Sequence, residues 1–163
     1  MRIGAGYDVH RFGDRAVTSI KLGGINVPHD KNIEAHSDGD VVIHAICDAL
    51  LGALALGDIG QHFPDSDDRF EGVDSRELLR ACYQKIKAQG YQLGNVDVTI
   101  IAQTPRVAAY APSMREVLAT DLESAIDQVS IKATTTERLG FLGRSEGLAA
   151  EAVVLLHQVA QRV

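Results

Sequence analysis

"DVVIHAICDALLGALALG", residues 40–57, is apolar on nearly every side. A surface helix carries one apolar stripe, so a helix of this composition is predicted to be buried. Its only polar side chains, Asp40, His44 and Asp48, recur every four residues and form a single stripe. Burying a carboxylate or an imidazole without partners costs on the order of several kcal/mol, so these groups must meet something. Either His44 and Asp48 close on each other, or the stripe faces polar groups from elsewhere. In the preceding "EAHSDGD", residues 34–40, Ser37, Asp38 and Asp40 are competent helix caps, and Gly39 permits a tight approach. Capping alone could account for them, or they could serve a site. His36 lies beside the capping turn, where backbone N–H groups can bind an anion.

Outward from this helix, residues 2–12 are predicted to form a strand, and "SIKLGGINVP" (19–28) a hairpin turning at Gly23-Gly24. Residues 58–72 read as a polar loop, and 75–90 as a helix capped by Asp74 or Ser75 and ended by Gly90. A strand over 94–103 breaks at Pro105, a helix runs from Pro112 to Ser124, and 128–136 form the next strand. Residues 137–147 read as a loop and 148–163 as a terminal helix. Hairpin strands mixed with β-α-β connections favour an α+β fold. The expected architecture is a two-layer sandwich with a mixed sheet and helices on one face. With no repeat, low-complexity segment or linker, residues 1–163 are expected to form a single domain.

The composition, 45% hydrophobic and 23% charged, is that of an ordinary globular protein. No stretch reaches the roughly 20 apolar residues of a membrane span, and the N-terminus lacks the apolar core of an export signal. Cys47 and Cys82 read as two buried reduced thiols, which points to the cytoplasm. A net charge of −6 without a Lys/Arg cluster excludes a nucleic-acid footprint. A phosphate-bearing ligand would need local compensation from a divalent metal or a few placed cations.

In "GYDVHRFG", residues 6–13, Asp8 and His10 share one face of the first strand. Alone they are either a surface pair or part of a metal site. With His44 they make two imidazoles and a carboxylate, the ligand set of a zinc ion with an open fourth position. Asp48 or Asp40 would then orient His44. The meeting of strand and helix is inferred from polarity, because spacing does not give it. Of the other histidines, His157 reads as structural on the last helix and His29 as exposed after Pro28. His62 stays undecided. The acidic run "FPDSDD" (63–68) is a solvated loop by default, although its carboxylates could accept hydrogen bonds from a polyol.

"GYDVHRF", "AHSDGDVVIHAICDALLGALALGDIGQHFPDSD", "DSRELL", "GNVDVTIIAQTPR" and "KATTTERLGFLGRSEG" together resemble the 2-C-methyl-D-erythritol 2,4-cyclodiphosphate synthase family of non-mevalonate isoprenoid synthesis. The matching stretches span nearly the whole chain in order. Ala5, where some members carry His, lies off the ligand set.

The resemblance implies a phosphorus-oxygen lyase. In 4-diphosphocytidyl-2-C-methyl-D-erythritol 2-phosphate, the 2-phosphate attacks the β-phosphorus, and CMP leaves as the cyclic diphosphate forms. It implies zinc on Asp8, His10 and His44, and magnesium or manganese held by Glu137 across the diphosphate. His36 and Thr135 would stabilise the transition state, and Ser37 would contact phosphate. Asp58, Ile59 and Gly60 would face the methylerythritol, with Phe63, Pro64, Asp65, Ser66 and Asp67 in the same wall. Ala102, Gln103, Thr104, Pro105, Arg106, Val107 and Ala108 would cradle the cytosine, largely through backbone. Thr134, Thr135, Thr136 and Glu137 would bind the diphosphate, with Phe141 and Arg144 nearby.

The resemblance further implies a homotrimer with sites between subunits, and an axial channel able to take an isoprenoid diphosphate, with Arg144 and Glu146 at its mouth. Val96, Val98 and Ile100 supply an alternating apolar row that would serve either a trimer interface or a monomer's own core. A start at Met1 without extension carries the expectation of an enzyme not fused to another pathway member. No protein nucleophile is needed, since phosphoryl transfer rests mainly on positioning and charge neutralisation.

Overall fold

A computed structural model describes residues 1–64 and 66–159. Strand β1 (Arg2–Ala16) is followed by the hairpin β2 (Ser19–Leu22) and β3 (Ile25–Pro28), then by the short strand β4 (Lys31–Glu34). Helix α1 (Val41–Ala53) leads to a one-turn helix α2 (Ile59–His62) and to α3 (Ser75–Ala88). Strand β5 (Tyr91–Ile101), helix α4 (Ala111–Asp121), strand β6 (Val129–Thr134), a one-turn helix α5 (Gly140–Gly143) and strand β7 (Gly147–Gln158) complete the chain.

The main sheet has the order β4-β1-β7-β5-β6. Only β5 and β6 run parallel, so the sheet is mixed as expected. Along β1 the even residues Gly4 and Gly6 are buried while Ile3, Ala5, Tyr7 and Val9 are exposed. The same alternation puts Ala150, Ala152, Val154 and Leu156 of β7 and Val96, Val98 and Ile100 of β5 in the core under the helices. That row therefore serves the chain's own core. The opposite face carries Ile3, Tyr7, Val9 and Val153 and is uncovered in the single chain.

Helix α1 is buried on all but a few positions, as its composition requires. It lies directly on β1 because glycines leave room for it. A Cβ on Gly4 would come within 1.9 Å of the Ala49 carbonyl oxygen, and one on Gly6 within 2.1 Å of that of Ala45. Asp121 on α4, nearly fully buried, accepts from Arg76 and Arg80 and ties α4 to α3.

Several expectations need correction. Residues 148–158 form the central strand β7, where a helix was expected; residues 160–163 lie outside the described residues. Buried and exposed side chains alternate along β7 between two flanking strands, and that pairing overrides the helical preference of its Ala and Leu residues. His157 accordingly sits on a strand and contacts the Gln92 side chain. Strand β4 falls in a stretch given no element, and the expected loops at 58–72 and 137–147 hold α2, a 3-10 turn and α5. Helix α1 stops at Ala53, short of Gly57, and the chain turns through left-handed Ala55. The side chain of His29 is only 3% exposed and stacks on Phe12 at 4.4 Å, so it is not a solvent-facing loop residue. Cys47 and Cys82 are buried free thiols, as the sequence suggested.

Candidate active site

Strand β1 carries Asp8 and His10 on the face toward α1, and α1 turns His44 toward them. Asp8 Oδ2 lies 3.0 Å from His10 Nε2 and 3.2 Å from His44 Nδ1, and the two imidazole nitrogens are 3.1 Å apart. These are the three metal-competent donors grouped among the described residues. A tetrahedral zinc ion with bonds of about 2.0–2.2 Å holds its donors about 3.3–3.6 Å apart. The triangle matches this to within a few tenths of an ångström, so the residues fit a divalent metal. Burial opposes ionisation of Asp8, but hydrogen bonds and charge from His10 and His44 outweigh it and hold the carboxyl well below its usual range. Burial likewise works against a charged His44, and Asp8 overcomes it, raising that imidazole's pKa.

The far nitrogen of His44, Nε2, lies 3.1 Å from Ser37 Oγ and 3.0 Å from Ser75 Oγ. Neither Asp40 nor Asp48 orients the ring, contrary to expectation. Asp40 caps α1 and accepts the backbone N–H groups of Gly23 and Gly24 at 2.9 and 2.7 Å, pinning the hairpin turn. Asp48 accepts from the Ile59 N–H at 2.7 Å and so fixes the start of α2. Burial, with the charges of Asp58 and Asp8, raises the pKa of Asp48 against that hydrogen bond. Ser75 and Asp38 were read from the sequence only as capping residues. The signals available for them were the "DSRELL" stretch for Ser75 and the "EAHSDGD" stretch for Asp38.

The triangle opens into a cavity of about 370 Å³ lined also by Glu34, His36, Ser37, Ile59, Gly60 and Phe63. His36 Nε2 is buried there without a hydrogen-bond partner among the described residues. Pro64, Ser66 and Asp67 lie outside this lining, and Asp67 is engaged by Arg69. Asp58 caps α2 and accepts from Gln61. Asp65 lies outside the described residues.

A second cavity, of about 230 Å³, is lined by Ala102, Gln103, Pro105, Arg106, Val107, Ala108, Thr134 and Thr135, together with Ile100 and Ala133. Thr104 is exposed and precedes Pro105 through a cis peptide bond. Beyond β6, Thr136 donates to the Leu139 carbonyl and Thr135 to Glu137. The two cavities share no lining residue. Asp8 pairs with Ala150, which pairs with Ile100, which pairs with Ala133. Three strand steps of about 4.8 Å put the β6 end roughly 14 Å from Asp8. Within one chain, Thr135 and Glu137 are thus not brought to the triangle. Arg144 bonds Glu146 at 2.6 Å and lines a third cavity, of about 650 Å³, with Arg11, Phe12, Lys31 and His10. Phe141 is exposed on α5 and lines none of these three cavities.

A profile of the YgbB family matches residues 1–157. The chain belongs to the YgbB family. A relative from Vibrio vulnificus, a 2-C-methyl-D-erythritol 2,4-cyclodiphosphate synthase, is 60% identical over 156 residues, covering 96% of this chain and 98% of the relative. Among solved structures, the bifunctional IspDF from Campylobacter jejuni superposes with a TM-score of 0.91 at 40% identity, over 96% of this chain and 42% of that one. An IspF of Plasmodium falciparum in complex with CDP gives a TM-score of 0.84 at 33% identity, over 98% and 97% of the two chains. The mixed sheet with its helices is the fold of these proteins.

Proposed function

We infer that this chain is a lyase that closes 4-diphosphocytidyl-2-C-methyl-D-erythritol 2-phosphate to 2-C-methyl-D-erythritol 2,4-cyclodiphosphate and CMP. The observation that carries this reading is the Asp8–His10–His44 triangle opening into a cavity beside His36, in a chain 60% identical to such a synthase. An oxygen of the 2-phosphate forms a bond to the β-phosphorus. The bond from that phosphorus to the bridging oxygen breaks, and CMP departs with the electron pair. Asp8, His10 and His44 would hold zinc and Glu137 magnesium or manganese, and these ions would supply Lewis acidity and charge neutralisation. His36, with its unpartnered buried nitrogen, hydrogen-bonds the phosphate oxygens, and Thr135 does the same from the other side. Ser37, Ile59, Gly60 and Phe63 hold the methylerythritol phosphate end, with Asp58 at the hydroxyls. The cavity from Ala102 to Ala108 holds the cytosine, and Thr134 to Glu137 the diphosphate.

Two features favour a homotrimer with shared sites. The β6 end that lines the second cavity lies roughly 14 Å from Asp8 on one chain. The uncovered sheet face also presents Ile3, Tyr7, Val9 and Val153 to solvent, a patch that association would bury. Packing copies through this face would bring the metal half of one chain to the Thr135–Glu137 half of another. Arg11, Lys31 and Arg144 around the third cavity suit a diphosphate head group, in keeping with an isoprenoid diphosphate in an axial channel.

Phosphorus NMR of the purified protein with the diphosphocytidyl substrate and magnesium, with and without chelator, tests the reading. Cyclic-diphosphate resonances should appear with CMP and vanish on chelation. Substrate left intact by metal-replete protein refutes it, and hydrolysis without a cyclic product reassigns the chain as a phosphohydrolase.

A further inference from the structure

The structure assigns Ser75, backed by Asp38, as the positioning residue that fixes which nitrogen of His44 faces the metal. This rests on reading Asp8, His10 and His44 as a metal centre. Ser75 begins α3 and is fully buried. Its hydroxyl has one hydrogen, and it donates that hydrogen to Asp38 Oδ1 in a short bond. Asp38 is held as an acceptor, since Oδ2 also takes the Ser75 N–H at 3.1 Å and Oδ1 the Asp40 N–H at 3.2 Å. Toward His44 Nε2, at 3.0 Å, Ser75 Oγ therefore offers only lone pairs. That contact is a hydrogen bond only if Nε2 carries the proton. With Nε2 protonated, a neutral His44 presents the bare lone pair of Nδ1 to Asp8 and His10, as a metal ligand must.

Ser37 also touches Nε2, at 3.1 Å, but among the described residues its hydroxyl hydrogen is committed to no other acceptor, so it does not by itself dictate the tautomer. Without the chain Asp38–Ser75–His44, either nitrogen could hold the proton. The "DSRELL" stretch then has a double use: Asp74 caps α3 by accepting the Arg76 N–H at 2.9 Å, and the next residue reaches the metal ligand.

The test uses the full-length protein and zinc competition against a chromophoric chelator, with long-range proton–nitrogen NMR of the zinc-loaded, nitrogen-labelled protein. Ser75→Ala should lower zinc affinity roughly 10- to 100-fold, the usual effect of losing an outer-shell partner. It should also abolish the slowly exchanging Nε2–H signal of His44, and Ser75→Thr should restore both. Asp74→Ala removes the cap of the same helix but leaves the Ser75 contact intact, so its zinc affinity should stay at the wild-type value. Wild-type affinity in Ser75→Ala overturns the assignment. Equal losses in Ser75→Ala and Asp74→Ala also overturn it, because the position of α3 would then matter and the hydroxyl would not. Failure of the wild type to bind zinc removes the metal centre itself, a result distinguishable from either.

Discussion

The contact between β1 and α1 sets the metal triangle, and Gly6→Ala tests this directly. Gly6 is two residues before Asp8 on the same face of β1, and a methyl there would sit 2.1 Å from the Ala45 carbonyl oxygen, next to His44. Relief to ordinary contact needs the helix to move roughly 1 Å off the strand. The nearest obstacles are the Ala45 oxygen and the Ala49 nitrogen, backbone atoms that cannot rotate away. Overpacking of this kind costs about 1–3 kcal/mol, and the rigidity of the obstacle argues for the upper end. The same shift would carry His44 Nδ1 from 3.1–3.2 Å to about 4 Å from its partners, beyond the span of one tetrahedral ion. Zinc affinity should fall on the order of 100-fold.

The comparison variant is Gly52→Ala on α1, where the nearest neighbour of the new methyl is the Ala5 oxygen at 3.9 Å. Replacing this helical glycine should stabilise by about 0.5–1 kcal/mol and leave metal binding alone. Urea unfolding of the metal-free proteins and chelator competition give the two readouts. If Gly6→Ala stays within about 0.5 kcal/mol of wild type and binds zinc equally well, the strand–helix contact does not set the site.

Asp8→Asn and His44→Ala should each lose bound metal by elemental analysis after dialysis; unchanged content in both would refute the metal centre. Tyr7→Asp and Val153→Arg, on the uncovered sheet face, should yield monomers in analytical ultracentrifugation that still bind zinc but no longer turn over; an unchanged assembly would place the interface elsewhere. Asp48→Asn should stabilise the metal-free fold at neutral pH. The folded-state pKa of Asp48 is raised above 3.8, so its ionisation opposes folding above that value, while an Asn side-chain oxygen still accepts from Ile59. The gain should disappear below pH 3.8, where wild-type Asp48 is protonated in both states, and a loss of stability at neutral pH would reverse the sign of this argument.

Legibility in the sequence followed the strength of each local pattern. Alternation in "GYDVHRFG" placed Asp8 and His10 on one face, and the all-round apolarity of residues 40–57 announced a buried helix, both as found. Residues 148–158 failed for a physical reason. Its Ala and Leu residues favour a helix, whereas Glu151 and His157, six apart, share a face only in a strand, since six residues turn a helix about 120° away from a common face. Only the neighbours β1 and β5 decide between them, and neighbours are not written locally. The edge strand β4, four mostly polar residues, carries no apolar pattern to read. Ser75 was hidden because a serine at a helix start is already explained as a cap. Its contact with His44 spans 31 residues and depends on how α3 packs against α1.

The charge of the metal cavity gives a last consequence. Among the described residues its lining includes Asp8 and Glu34 but no Lys or Arg. A phosphate placed about 5 Å from one carboxylate is repelled by roughly 3 kcal/mol per unit charge at an effective dielectric of about 20. An acidic chain of net charge −6 adds to that. Metal-free, the cavity therefore disfavours a phosphate, and a divalent ion on the triangle would reverse the sign of the local field. Metal removal should consequently abolish phosphate binding itself and not only turnover. In cobalt-loaded protein the phosphorus resonance of glycerol 2-phosphate should broaden with saturating, competitive behaviour against the substrate. Calorimetry on chelated protein should detect no binding of the same compound. Equal affinity with and without metal would mean that protein cations alone hold the phosphate, and the Asp8–His10–His44 triangle would lose its electrostatic role.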